Sequence, residues 1–143
     1  MNLRRVVLAG LIAGPIEIVL KMIQGGLYLN TLHLAALESV NPALAAKAFT
    51  EVSGLIGFLT ITMLLGVLHM YIYAAMRPRF DTRLAAVVSA ALATGTVEAL
   101  NWGLVGMIGI FTWWHIGVEA VLTIGNMLIA IYAGSLVYKD ARS

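Results

Sequence analysis

The sequence predicts an all-α protein, an integral membrane four-helix bundle forming a single domain over residues 1–143, with both termini in the cytoplasm. Three observations lead there. The chain is 61% hydrophobic and only 11% charged, whereas an average soluble domain is about a quarter charged. Four segments approach or exceed the roughly 20 apolar residues that a helix needs to cross the hydrocarbon core. Seven of the nine Lys and Arg residues fall at the two ends and in one connection, all on one side of the membrane. The positive-inside rule makes that side cytoplasmic.

The first crossing, 6–29, follows Arg4 and Arg5. Its start, "MNLRRVVLAGLIAG", has the basic-then-apolar order of a signal peptide. Ile12 and Gly14 make a poor cleavage site, however, and the apolar run resumes beyond Glu17, so a retained helix is expected. Gly10 and Gly14 form a small-xxx-small motif, which permits close helix approach within the bundle or between subunits. Pro15 suits a kink that frees a carbonyl near Glu17.

An extracytoplasmic loop is expected over 30–51. Within it Asn41-Pro42 reads as a helix start, a capping side chain followed by proline in the first turn. Either the second helix begins there, or "NPALAAKAF" is a separate short helix on the surface. The second crossing, 52–76, ends at the connection "RPRFDTR" with Arg77, Arg79 and Arg83. The third, 84–111, leads into "FTWWHIG", where Trp113 and Trp114 read as anchors at the far headgroup level. The fourth, 116–138, precedes Lys139 and Arg142. Gly14-Pro-Ile-Glu17 and Gly95-Thr-Val-Glu98 stand at similar distances after basic flanks, as in a parallel repeat.

Several functions are disfavoured at once. The chain has no cysteine, which removes disulfides, thiolate metal sites and thiol nucleophiles. Its net charge of +2 gives no case for a nucleic-acid partner. It contains no Glu-x-x-His, His-Glu-x-x-His or Gly-x-Ser-x-Gly motif, so nothing marks an enzyme and no cofactor is named.

Polar residues recur at helical spacing. Gly10, Gly14, Glu17, Lys21 and Gln24 share one face of the first helix, and Ala91, Thr94, Glu98 and Asn101 one face of the third. Glu119, Thr123, Asn126, Ala130 and Gly134 do so on the fourth; Thr62, Gly66, His69 and Tyr73 line up on the second. Four such seams can meet in one interior. A charge near the bilayer centre costs about 2.5–3.5 kcal/mol even on lenient insertion scales, and two leucines would insert more easily than Glu17 and Lys21. The pair stands four apart with the acid first, the favourable order.

A ligand- or proton-binding site is therefore expected from Glu17, Lys21 and Glu98, with Asn101, Glu119 and Asn126 lining a route outward. A structural explanation competes with it: the pair pins helix packing through Asn101 or Glu98. Counting about 1.5 Å per residue puts Glu17 about 18 Å from Arg5, and His69 only about 12 Å from Arg77. His69 with Tyr73 thus reads as a separate inner feature. Candidate metal ligands are His69, His115 and Glu119; His115 with Glu119, joined by His33 with Glu38, has the donor types for a divalent ion. A haem held by two histidines needs them at facing depths, and His69 is set apart from the other two.

The leading functional expectation is binding or transport of a small ligand or ion, with or without proton coupling. A structural or accessory subunit of a larger membrane complex is the alternative, and a haem- or metal-binding membrane protein the third. The expected partners are the lipid bilayer, further copies of the chain and other membrane subunits.

"YAAMRPRF", with "GSLVYKD" near the end of the chain, resembles stretches in small uncharacterised bacterial four-helix membrane proteins. That resemblance implies a bacterial inner-membrane protein and no particular activity. A looser analogy is to small multidrug-resistance transporters, which have an essential glutamate in the first of four short helices, as Glu17 is placed here. The long outer connection, Lys21, Glu98 and the one-sided basic residues depart from that pattern.

Overall fold

A computed structural model describes residues 2–47 and 52–138. Among them are four helices long and apolar enough to cross a membrane, and no strand. Each end of an element has a local cause. Asn2 caps α1 (Leu3–Gln24) by accepting from the Arg5 amide at 3.4 Å. A π-helical turn, Gly25–Leu29, then joins α1 to α2 (Asn30–Val40) without a break. The 30–51 stretch expected as a loop is thus helical over most of its described length. Asn41 turns extended and closes α2, its amide donating to the Leu37 carbonyl, and Pro42 opens the short helix α3 (Pro42–Lys47). The remainder, 48–51, lies outside the described residues.

The second crossing, α4 (Val52–Met76), runs into a 3-10 turn, Arg77–Arg79. There the Arg77 guanidinium donates to the Phe80 carbonyl at 2.6 Å. Thr82 caps α5 (Arg83–Met107) through the Ala85 amide, and Thr112 caps α6 (Trp113–Val137) through the His115 amide. Gly109, at φ +80°, makes the turn between them, a conformation that costs a side-chain-bearing residue far more than glycine. That turn ends α5 at Met107, four residues short of the expected boundary.

The helices form two antiparallel hairpins, α1 with α4 and α5 with α6, laid side by side so that α6 also packs on α1. Small residues let the backbones approach. A Cβ added to Gly66 would sit 2.5 Å from the Gly14 Cα, and one on Gly10 would sit 2.5 Å from the Val67 Cα. The Gly10/Gly14 motif therefore serves contact inside the bundle. A Cβ on Gly95 would meet the Ile124 side chain of α6 at 2.6 Å, so each Gly-x-x-Glu stretch places its glycine against the partner helix of its own hairpin. The core at the arginine end is alanine-rich, with Ala9, Ala13, Ala86, Ala90, Ala91 and Ala130 fully buried around Met70, Tyr73, Met127 and Ile131.

The outer surface is the inverse of a soluble protein's. Leu8, Leu11, Val19, Ile56, Ile61, Leu64, Leu92, Val97, Leu100 and Val121 are all exposed, a contiguous apolar cover of the kind that demands lipid. The protein is a multi-pass membrane protein by length and composition of these helices. Arg4, Arg79 and Arg83 are exposed at one end, and Trp113 and Trp114 at the other. Lys139 and Arg142 lie outside the described residues.

Candidate functional site

Four charged or ionisable side chains from three helices meet inside the bundle. Glu17 is completely buried. One of its oxygens lies 2.8 Å from the Lys21 ammonium, one turn along α1, and the other 3.3 Å from Nδ1 of His69 on α4. The second imidazole nitrogen, Nε2, lies 3.7 Å from Glu98 Oε1 on α5. The order is ammonium, carboxylate, imidazole, carboxylate. Glu17 and Glu98 thus belong to one cluster, with His69 standing between them.

His69 is the residue that sequence reasoning set apart, and the reason is geometric. Counting rise locates Cα atoms, whereas side chains lean toward the N-terminus of their own helix. In the antiparallel pair α1/α4, Glu17 leans toward the arginine end and His69 away from it. The two lean toward one another and close the gap of about 6 Å in counted depth. His69 accordingly lies with Glu17 and Glu98, apart from the other two candidate metal ligands.

A cavity of about 410 Å3 opens beside this cluster toward the tryptophan end. Lys21 and Glu98 form its floor and Glu119, Thr123 and Asn126 one wall; His33, Trp102 and Phe111 complete the mouth. Gln24 and Asn126 exchange two amide hydrogen bonds of 2.7 Å, pinning α1 to α6 across the wall. Asn126→Leu leaves the Gln24 amide without its partner. Its expected cost is about 1 kcal/mol, in the range of hydrogen bonds between membrane helices, checked by reversible unfolding in mixed micelles.

Among the expected site residues, Lys21 and Glu98 form the floor with Glu17 behind them, and Glu119 and Asn126 line the cavity. Asn101 does not join them: it is exposed, and Trp102 lines the cavity instead. The inward face of α5 advances by four, through Thr94, Glu98 and Trp102, and a step of three from Glu98 turns Asn101 outward.

His33 reaches the cavity through the π-helical turn. On an unbroken α-helix it would stand about 120° round the axis from Lys21. A turn closed by an i→i+5 bond holds one more residue and sets the phase back by about 100°. Leu29, His33 and Leu37 consequently share the cavity with Lys21 and Gln24. A five-residue stretch holding Gly25-Gly26 within an apolar helix is the only signal in the sequence, and it is a weak one.

His33 Nε2 lies 3.0 Å from Glu119 Oε1, and His115 Nε2 lies 3.8 Å from the same oxygen. Glu38 is exposed and takes no part. No family model, curated protein or solved structure matches the chain.

Proposed function

We propose that the protein binds a small cation in the cavity and exchanges it for protons held by the Glu17–His69–Glu98 cluster, as a small transporter of the bacterial inner membrane. The observation that carries this reading is the row of polar side chains that leads from the cavity floor to a fully buried carboxylate. Lys21 and Glu98 face the cavity, while Glu17 and His69 lie behind them. Polar groups inside a membrane domain are costly and mark ion or proton pathways by default.

The chemistry suits the task. Imidazole takes a proton on one nitrogen while releasing one from the other, and each nitrogen of His69 faces a carboxylate. With both nitrogens protonated, the cluster of two acids and two bases is neutral. Loss of that proton leaves one negative charge, which a cation entering beside Glu98 compensates. The cavity lining itself holds two carboxylates, Glu98 and Glu119, against one ammonium, Lys21, a balance that favours cations over anions. The one-sided arginines support the orientation, with both termini cytoplasmic and the cavity mouth facing outward.

The test is proton movement in proteoliposomes carrying an internal pH dye, with Na+, K+, Mg2+ or Zn2+ added outside one at a time. At least one cation is expected to drive proton release that empty vesicles lack. Glu17→Gln, which keeps the shape and one acceptor oxygen, is expected to insert and fold yet lower that rate at least about tenfold, the scale of a lost proton-transfer group. Equal rates in the parent and Glu17→Gln, or no cation effect over empty vesicles, would overturn the reading.

A further inference from the structure

We infer that His33, His115 and Glu119 form a binding site for one divalent metal ion of the zinc class at the mouth of the cavity. The site is independent of the Glu17–His69–Glu98 cluster and shares no residue with it.

The donor set is the first argument. One ligand atom from each of the three residues lies within 4.8 Å of the other two. Bonds of about 2.0–2.1 Å to a tetrahedral ion place neighbouring ligand atoms about 3.3 Å apart. The separations of 3.0 Å and 3.8 Å from Glu119 to the two histidines bracket that value. Two imidazoles and a carboxylate suit zinc, cobalt, nickel or ferrous iron. Calcium and magnesium prefer oxygen throughout, and the chain supplies no thiolate for softer ions.

Burial is the second. His115 and Glu119 are buried and His33 is partly buried, within a bundle where a carboxylate is expensive unless compensated. Glu119 has no Lys or Arg ion-pair partner among the described pairs, only the two imidazoles. A divalent cation supplies the missing positive charge while the histidines stay neutral, the form in which they ligate.

The surroundings are the third. Trp102 stacks on His33 at 5.6 Å, and Phe111 packs edge-on against it at 5.5 Å and lies 4.8 Å from His115. This aromatic wall fixes both rings on one side. On the other side Glu119 and Thr123 border the 410 Å3 cavity, leaving a fourth position open to water or a passing ligand, as in three-ligand zinc sites.

The experiment uses the full chain in detergent, stripped with chelator and titrated with Co2+ alone. One Co2+ per chain is expected, with a visible d–d band of a four- or five-coordinate ion, and Zn2+ is expected to displace it. Loss of a supporting group around a metal ligand already costs 10–100-fold in affinity, so Glu119→Gln and His115→Gln should each weaken Co2+ binding by about 100-fold. Glu38→Gln should leave it unchanged.

Because a variant can fail to fold, Cu2+ paramagnetic resonance on the unmutated protein is the companion measurement. Hyperfine coupling to two imidazole nitrogens is expected. Absence of a stoichiometric Co2+ band, coupling to one nitrogen or none, or unaltered affinity in folded Glu119→Gln overturns the site. A protein that binds Co2+ here but moves no protons keeps this site and loses only the exchange mechanism.

Discussion

Gly66→Leu is expected to be among the most damaging single substitutions in the chain, lowering stability by at least about 3 kcal/mol, the upper part of the range for overpacked cores. The reason is what the new Cβ would strike. It would stand 2.5 Å from both the Cα and the amide nitrogen of Gly14, and backbone atoms cannot swing aside as a side chain can. Relief requires α1 and α4 to separate along their length. That separation also pulls His69 from Glu17, so loss of fold and loss of the polar cluster should appear together. Gly54→Leu on the same helix is the control, since a Cβ there meets nothing within 4 Å. Reversible unfolding in mixed dodecyl maltoside and SDS micelles measures both. Similar stabilities for the two variants would mean that the helices are not in the close contact described.

Glu17→Ala should cost about 3–5 kcal/mol, the usual result of removing one partner from a buried ion pair. Glu17 is wholly buried and sits between two basic groups, so its loss strands Lys21 and leaves His69 only its longer, 3.7 Å approach to Glu98. Lys21→Met should cost clearly less. The lysine side chain keeps about a quarter of its surface exposed toward the cavity, so water moderates its half of the interaction. Side chains this close do not contribute independently, and a double-mutant cycle should give a coupling of about 1–3 kcal/mol. Additive effects would show that the 2.8 Å contact does not hold the pair in the membrane. Glu17→Gln separates the two roles of the residue: the amide retains the packing, and the ionisable group is gone.

The two substitutions probe features of different legibility. The Gly10/Gly14 motif was visible as a place of close approach, but its partner was not. Small-xxx-small spacing specifies a shallow helix surface and leaves open what fills it, and only the opposing Val67, Met63 and Gly66 answer that. The acid–base pair Glu17–Lys21 was visible because its spacing is local to one helix. Its link to Glu98 through His69 was hidden, because it depends on which way side chains lean in antiparallel neighbours.

The class of the molecule is written in the order of its residues: four apolar helices, the basic ends and the polar seams all follow from composition and from a period of 3.6 residues. Those properties are local, and each helix expresses them before meeting another. Which polar residues share a site depends on how the helices pack. The packing turns Asn101 outward and Trp102 inward by the phase of α5, and it brings His33 to Glu119 by one wide turn at Gly25–Leu29. A shift of one residue rotates everything beyond it by about 100°, and no periodic pattern shorter than the whole bundle records that rotation.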